Sequence, residues 1–299
     1  MFEKAIKQAR ITTAELLKSG SMGSNSKDLM KIMLIASSIL FTSCQQQEST
    51  DKTSHIAEGV SDERIEMAPN PIAAEEISFS AAQLEAIVKE VMLEQYGSEY
   101  DVKHDCWPYI SGESGSYCMK ASIPTLIESK RGKELYFYAA NHSDINDDPN
   151  YSYGHADPGI LGAYKLSIDK SGVWKYLSTS KAMTFGSSGY CGCDNAVFLK
   201  FGNDDYYGWM FTSGGVWQGT VVSNYSIVAP KDSAFVDLSQ IPEIREESQD
   251  VRYQVKVIDS SSDNVFPLMV TKTKAGKPSE EKLISFDEKK WLYSVAQDF

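Results

Sequence analysis

The most reactive chemistry in this sequence lies at two cysteines that are separated by a single glycine, Cys191 and Cys193, within residues 185–194. Thiols this close are able to form a local disulfide, but so small a ring is strained, which raises its reduction potential. Three roles suit the spacing: a structural disulfide, either local or to Cys106 and Cys118, a redox-active pair, or part of a soft metal site. A structural role is favoured, because no second Cys-x-Cys or nearby Cys/His pair completes a tetrahedral set.

A second polar group lies in the acidic segment NHSDINDD. Asp144, Asn146 and Asp148 occupy alternate positions, as ligands do in calcium-binding loops. Pro149 stands where such a loop needs glycine, and no glutamate closes the loop at its twelfth position. The segment is therefore interpreted as an acidic, solvated turn, with binding of a hard cation as the alternative.

Two histidines, His142 and His155, each lie two residues before an aspartate, Asp144 and Asp157. A metal-assisted hydrolase uses such side chains to hold a cation that activates water. No third ligand accompanies them in the sequence. We therefore predict no metal, no cofactor and no catalytic residue, with hydrolysis near these histidines as one enzymatic alternative and thiol redox chemistry at the paired cysteines as the other.

The aromatic run at residues 206–211 and the nearby Trp217 form a third group. Rings on strands with intervening glycine are able to stack on sugars or peptides. A core role is favoured, because Tyr207, Trp209 and Phe211 share one face of a strand, which suits a sheet packed on another sheet.

A short apolar segment ends at Cys44, the first of the five cysteines in the chain. Its uncharged part, Ile32 to Thr42, would cross about half of the ~30 Å hydrocarbon core and is too short to span a membrane. Residues 40–44, Leu-Phe-Thr-Ser-Cys, resemble the lipobox of bacterial lipoproteins. The resemblance implies a signal peptide at residues 30–43, lipidation of Cys44 with palmitate-type chains, and attachment to a membrane through this N-terminal lipid.

The same resemblance implies a location in the bacterial cell envelope, and Gln45 directly after the cysteine favours the outer membrane of a Gram-negative cell. Another envelope protein is the candidate partner. Residues 1–29 precede the signal and are interpreted as a start assigned too early, with Met22 or Met30 as the true start. The alternative is a helix at Ala5 to Lys18.

Residues 45–76 hold no aromatic side chain, are rich in Asp and Glu, and contain Pro69 and Pro71. They cannot bury enough apolar area to offset the entropy of ordering, so we expect an acidic, disordered tether. The chain carries a net charge of −12, and residues 1–44 are net positive, so the remainder is more negative still. This charge excludes nucleic acid as a partner, because such binding depends on Lys and Arg.

Four cysteines beyond the lipobox indicate disulfides in an oxidising compartment. Four thiols permit three pairings. Cys106 and Cys118 lie almost equidistant from the centre of the turn at residues 111–115, with strand-like residues on both sides. We therefore predict that they form a pair, opposite one another across a hairpin.

The first element that must position these residues is a helix at about residues 81–96. Ser80 and Gln83 fit a capping box, and Phe79 and Leu84 fit the hydrophobic staple that accompanies it. Apolar residues then recur on one face, and Gly97 suits the end of the helix. An amphipathic helix is expected to open the folded domain.

After the helix, the apolar period changes from 3.6 to 2, which predicts strands joined by short turns. The clearest strands are residues 164–168 paired with 173–177, residues 195–202 paired with 206–212, residues 251–257, and residues 283–286 paired with 291–295. No regular helices lie between them, so residues 77–299 are expected to form one mainly β, antiparallel domain, either a sandwich or propeller-like.

Two of these hairpins share a pattern, residues 166–169 before Trp174 and residues 284–287 before Trp291. The pattern suits either a duplicated, blade-like unit or independent hairpins of similar chemistry, and two copies favour the second interpretation. The sequence thus predicts a lipid-anchored envelope lipoprotein with a non-catalytic, β-rich binding domain.

Overall fold

A computed structural model of the chain describes residues 78–111, 115–142, 148–296 and 298–299. This part is mainly β, with antiparallel sheets. The signal peptide, the lipidated Cys44 and the acidic tether that the sequence predicts lie outside the described residues. Within the described ranges, no helix is both long and apolar enough to cross a membrane.

The first element is helix α1, Ala81–Tyr96. The Ser80 side chain accepts a hydrogen bond from the Gln83 N–H (3.3 Å), and the Gln83 Oε1 accepts one from the Ser80 N–H (2.9 Å). This reciprocal pair is the capping box that the sequence indicates. Gly97 ends the helix with a φ of 97°, where its N–H donates to the Leu93 carbonyl.

Sheet 1 has six strands in the described part of the chain, in the order β1-β2-β4-β5-β6 with β3 paired to β4. Neighbouring strands pair antiparallel. Their bounds are β1 Trp107–Ile110, β2 Ser116–Ala121, β3 Thr125–Ser129, β4 Gly132–Asn141, β5 Gly159–Ile168 and β6 Trp174–Phe185.

A short 3₁₀ turn, Cys193–Asn195, leads from sheet 1 into sheet 2. Sheet 2 follows the order β15-β11-β9-β8-β7 with β10 paired to β9, and sheet 3 the order β12-β13-β14. The bounds in sheet 2 are β7 Val197–Gly202, β8 Tyr206–Trp217, β9 Thr220–Lys231, β10 Ala234–Asp237, β11 Ser239–Ile244 and β15 Tyr293–Ser294. Those in sheet 3 are β12 Val251–Val257, β13 Leu268–Lys274 and β14 Lys277–Ile284.

The layers follow from the two-residue period of the strands. In β4, Leu135 and Phe137 pack with α1 on one face of sheet 1, while Tyr136 and Ala140 pack with sheet 2 on the other. In β9, Val228 faces sheet 1, and its neighbours on the opposite face pack with sheet 3. The order of layers is therefore helix α1, sheet 1, sheet 2 and sheet 3.

Several predicted strands are confirmed. The β5–β6 hairpin turns at Asp169, whose N–H donates to the Val173 carbonyl and whose carbonyl accepts from the Gly172 N–H (both 3.0 Å). The β7–β8 hairpin and strand β12 also form at the expected positions. These elements are formed by residues close together in sequence, so the alternation of apolar residues and the turn residues are sufficient to predict them.

The predicted hairpin between residues 283–286 and 291–295 forms only at its turn, where Asp287 and Leu292 make an antiparallel bridge with backbone hydrogen bonds of 3.0 and 3.2 Å. Strand β15 pairs in parallel with β11 of sheet 2 and not with β14. Tyr293 is fully buried, and its N–H donates to the Leu238 carbonyl at 2.7 Å, so burial of this ring draws the segment towards sheet 2. Both copies of the shared pattern therefore form a turn at the aspartate, but the strand that follows pairs with its neighbour in sequence only in the β5–β6 hairpin.

Candidate functional site

The sulfur atoms of Cys106 and Cys118 lie within disulfide-bonding distance, and both residues are fully buried. Their Cα atoms are 5.4 Å apart. The predicted pairing across the hairpin is therefore seen, but the residue that faces Cys118 across the ladder is Pro108, so Cys106 lies two positions from the place opposite its partner. The chain turns at Asp105, with a φ of 58°, and this turn brings Cys106 diagonally to its partner.

The sulfur atoms of Cys191 and Cys193 are also within disulfide-bonding distance. The two residues are 1% and 0% exposed and belong to the core between sheets 1 and 2. A Cβ atom at Gly159 would lie 2.1 Å from the Cys191 nitrogen, so this glycine permits the close approach of the two backbones. Because the sulfurs are covered by protein, a partner thiol cannot reach them without opening the core.

His155 lies on the surface, where its ring contacts Ser188, Val216 and Trp217. Its Nδ1 is 3.3 Å from the Ser188 hydroxyl, and its Nε2 contacts the Val216 carbonyl. Its ring packs edge-on against Trp217, 5.2 Å between centroids. The Asp157 carboxylate instead accepts a hydrogen bond from the Gly154 N–H.

His142 follows β4, and its N–H donates to the Cys118 carbonyl at 2.9 Å. Asp144 and Asn146 of the acidic segment lie outside the described residues, whereas Asp148 lies inside them. Among the described residues, no group of three or more His, Cys, Asp or Glu side chains is arranged to hold a metal ion.

The aromatic run contributes to the core, as the sequence predicts. Tyr207, Trp209 and Phe211 all belong to the cluster between sheets 1 and 2. Tyr207 stacks on Phe198 with 5.4 Å between ring centroids. Trp217 is 45% exposed and lies outside this core.

A polar network that the sequence analysis missed surrounds His104. Its Nδ1 is 2.7 Å from the Asp101 carboxylate, and its Nε2 is 3.2 Å from the Asp148 carboxylate. The Tyr151 hydroxyl donates to Asp101 (2.9 Å), and the Lys103 ammonium donates to Asp148 (2.7 Å). The hydrogen bond with His104 lowers the pKa of Asp101 to about 2. The network ties the loop before β1 to the segment after β4, two segments that no spacing in the sequence connects.

Next to this network, Asp105 binds two further side chains. The Lys120 ammonium lies 2.8 Å from its carboxylate, and the Tyr100 hydroxyl donates to it. The bond to Lys120, and after it the bond to Tyr100, lowers the pKa of Asp105. The same hydrogen bond raises the pKa of Tyr100 to about 12. At neutral pH the carboxyl is therefore ionised and the phenol neutral, and neither group is tuned to exchange protons.

These three residues form part of the wall of a cleft beside α1, which has a volume of about 890 Å³. We call it the α1 cleft. Its apolar lining consists of Val88, Leu93, Trp107, Ala121, Ile123 and Pro124, in addition to the Tyr100 ring. Its charged residues are Glu85, Lys89, Asp105 and Lys120, two of each sign. This size and lining are typical of sites that bind small molecules or side chains of a partner.

Large apolar side chains are exposed at the rim of the α1 cleft. Ile123 is 91% exposed, Tyr100 40% and Leu93 39%. Trp107 forms part of the floor, its ring is packed edge-on against Tyr100 at 4.6 Å, and its indole N–H has no hydrogen-bond partner within the described part of the chain. Grouped, exposed apolar side chains mark interaction surfaces in soluble domains.

Comparison of the chain with known protein families, curated proteins and solved structures finds no match. The α1 cleft combines an apolar floor with a neutral balance of charges. Such a surface is suited to bind an apolar side chain that is flanked by polar backbone.

Proposed function

We propose that this protein is a lipid-anchored lipoprotein of the bacterial cell envelope, whose β-rich domain binds a segment of another envelope protein in the α1 cleft. The lipobox-like residues that end at Cys44 support the anchor. The observation that carries the binding role is the exposure of Leu93, Tyr100 and Ile123 around one cleft. Burying such side chains against a partner contributes about 25 cal/mol per Å² of apolar area.

The chemistry of the cleft defines the partner segment. Because the cleft carries two charges of each sign, it favours neither an acidic nor a basic ligand. Because Lys120 and Asp105 already pair with one another, they add little net electrostatic attraction for a ligand, and their role is to orient the partner segment. The best fit is an extended peptide with an aliphatic or aromatic side chain that fills the space over Trp107.

A non-catalytic role is supported by the protonation states and by burial. At the border of the cleft, the pKa of Asp105 is lowered and that of Tyr100 is raised to about 12, so both lie further from 7 than their ordinary values. Cys191 and Cys193, the residues of the redox alternative, are covered by the core. The described residues of the cleft therefore supply binding groups, which supports binding over turnover.

We also propose that the domain is a layered sandwich and not a propeller. Face-to-face packing supports this, because each face of sheet 2 shares a hydrophobic cluster with a different sheet. Sheets that pack face to face in this way are characteristic of sandwiches.

The cleft is tested by photo-cross-linking in living cells. A photoreactive amino acid at Ile123 is expected to trap one discrete partner species. Leu93→Glu in the same chain should remove that species, because a charge at the rim opposes burial of an apolar partner side chain. Val173, which is 56% exposed in the β5–β6 turn, is the matched control position. The same species at Val173, or its persistence in the Leu93→Glu variant, would contradict the proposal.

The anchor is tested separately. Radiolabelled palmitate is expected to enter the protein in living bacteria, and Cys44→Ala should abolish labelling and release the protein from the membrane fraction. A Cys44→Ala variant that still fractionates with membranes would refute lipidation as the means of attachment. A soluble variant that keeps the Ile123 cross-link would show that anchoring and binding are independent.

The non-catalytic proposal and the redox alternative differ in the expected reactivity of Cys191 and Cys193. We expect mild reductant followed by alkylation to leave both unlabelled in the native protein and to label them after unfolding, as read by mass spectrometry. Prompt labelling of the native protein would instead favour a thiol redox enzyme.

A further inference from the structure

A second cavity, of about 640 Å³, lies between β6 of sheet 1 and strands β8 to β11 of sheet 2. We call it the β6 pocket. Five strands contribute to its lining, so the pocket exists only where the two sheets face one another. Its volume lies within the range of small-molecule sites.

The strands of sheet 2 change character where they reach this pocket. On the face towards sheet 1, β8 carries Trp209, then Phe211 and then Ser213. The Cα partners of Phe211 and Ser213 on β9 are Ser226 and Asn224. On this face of sheet 2, aromatic side chains fill the core between the sheets. At the pocket, the same face carries hydroxyl and amide groups instead.

A chain of hydrogen bonds forms the polar wall. The Ser213 and Ser226 hydroxyls are 2.9 Å apart, and Ser226 also bonds to the Asp237 carboxyl. The Oδ1 of Asp237 accepts hydrogen bonds from the Ile227 N–H (2.9 Å) and the Ser239 N–H (3.0 Å). Because the protein itself supplies three donors to this carboxyl, a cationic ligand is not needed to balance it.

The remaining lining sets the chemistry of the ligand. Among the described residues that line the β6 pocket, none is Lys, Arg or His, and Asp237 is the one acidic residue. An anionic ligand would meet a carboxyl with no compensating cation, so the pocket disfavours acids. Half-buried Phe185 presents part of its ring, while Asn224 and Gln240 present exposed amides, which both donate and accept hydrogen bonds.

From this arrangement we propose that the β6 pocket binds a neutral saccharide. Sugar hydroxyls both donate and accept, which matches Asn224, Gln240 and Ser213, and the C–H face of a sugar ring matches the exposed part of Phe185. This site is separate from the α1 cleft in its lining residues, and the inference does not rest on partner binding there.

The test is saturation-transfer difference NMR on the full-length protein in detergent micelles. The probes are maltotriose, cellotriose, chitotriose, mannotriose and β-galactotriose, with trigalacturonic acid as the anionic comparison. We expect saturable transfer to at least one neutral trisaccharide, strongest at C–H protons of one ring face, and none to the acid. Asn224→Ala combined with Gln240→Ala should weaken the affinity by about tenfold or more, which corresponds to ~1.4 kcal/mol or more.

Gln254→Ala, which removes an exposed amide on β12, is the matched control and should keep the wild-type affinity. Phe185→Leu should reduce the transfer to the ring face while thermal unfolding shows that the domain stays folded. The proposal is overturned if no neutral trisaccharide binds, if the acid binds as well as the neutral sugars, or if the Asn224/Gln240 double variant binds like the wild type.

Discussion

The amide of Asn141 joins three parts of the chain that lie far apart in sequence. Its Oδ1 accepts hydrogen bonds from the Cys118 N–H (2.9 Å) and the Tyr153 hydroxyl (2.8 Å), and its Nδ2 donates to the Gly189 carbonyl (2.6 Å). The residue is 1% exposed. It therefore links the hairpin that carries one cysteine pair to the loop before the other pair.

Asn141→Ala should lower the free energy of unfolding by about 2 to 3 kcal/mol, because it leaves buried donors and acceptors without partners. Urea unfolding monitored by tryptophan fluorescence measures this loss. Asn150→Ala is the matched control, since that side chain is exposed, and its effect should stay within about 0.5 kcal/mol. Equal effects of the two substitutions would show that the amide does not hold these segments together.

Titration of the Asp237 carboxyl is expected to make the stability of the domain depend on pH. Burial raises the pKa of its carboxyl to about 6, against opposing hydrogen bonds from the Ile227 and Ser239 N–H groups. The folded state therefore binds the proton of Asp237 more tightly than the unfolded state does. This proton binding stabilises the folded state below pH 3.8, the ordinary pKa of the carboxyl, and the stabilisation is lost as the pH rises through about 6.

Asp237→Asn keeps the acceptor oxygen and removes the titration. Between pH 4 and 7, the wild-type protein should therefore lose stability relative to this variant, as measured by urea unfolding at several pH values. Asp259→Asn, at an exposed carboxyl on the surface, should follow the wild-type curve. Parallel curves for wild type and Asp237→Asn would contradict the assignment. The pKa of Asp101 is about 2, so its own effect lies below this window.

At the scale of elements, the loop between β6 and β7 depends on glycine. Gly186, Gly189 and Gly192 all have positive φ. A Cβ atom at Gly192 would lie 2.1 Å from the Thr212 carbonyl oxygen, which is backbone and cannot move aside easily. The loop therefore fits against β8 because position 192 has no side chain, and this fit brings the cysteine pair into the core.

Two glycine substitutions separate backbone strain from steric clash. Gly219→Ala, in an open turn with a φ of 85° and no atom within 4 Å of the added Cβ, should cost about 1 to 2 kcal/mol from conformation alone. Gly192→Ala should cost about 1 to 3 kcal/mol more, because the clash with Thr212 is added to the same strain. Thermal and urea unfolding of both variants measure the difference. Equal losses would mean that the loop is free to shift away from β8.

At the scale of the whole molecule, a buried ion pair joins β4 and β5 within sheet 1, beside the core between sheets 1 and 2. Lys165 lies 2.9 Å from Glu134, with side chains 7% and 1% exposed. Glu134 also accepts a hydrogen bond from the Tyr136 hydroxyl at 3.2 Å, and Tyr136 belongs to the core between sheets 1 and 2. Burial, which outweighs the attraction of Glu134, lowers the pKa of Lys165.

Lys165→Met should destabilise the protein by about 2 to 4 kcal/mol, because the buried Glu134 carboxylate would keep only the largely exposed Arg131 guanidinium, at 3.2 Å, as a cationic partner. Combining it with Glu134→Gln should recover part of that loss, a coupling that a double-mutant cycle measures by urea unfolding. Lys130→Met removes an ion pair with Asp204 whose side chains are 82% and 83% exposed, and it should change little. Additive effects of the two core substitutions would show that the charges do not act as a pair.

The sequence by itself determined those elements whose information is local. The capping residues Ser80 and Gln83 and the turn at Asp169 interact with residues a few positions away, so spacing and residue type are sufficient to indicate them. The period of two in β8 likewise indicates that Trp209 and Phe211 share a buried face. The pairing of Cys106 with Cys118 also follows local spacing, whereas the sequence left the partners of Cys191 and Cys193 open.

Tertiary structure alone decided the contacts between distant segments. Strand β15 pairs with β11 and not with β14, because the Tyr293 ring is buried in sheet 2 directly after the local turn that joins Asp287 to Leu292. The His104 network, the α1 cleft and the β6 pocket each combine side chains from segments that no spacing relates. A sequence pattern records which residues prefer a helix, a strand or the core, whereas a site arises where the packing of whole layers brings separate segments together.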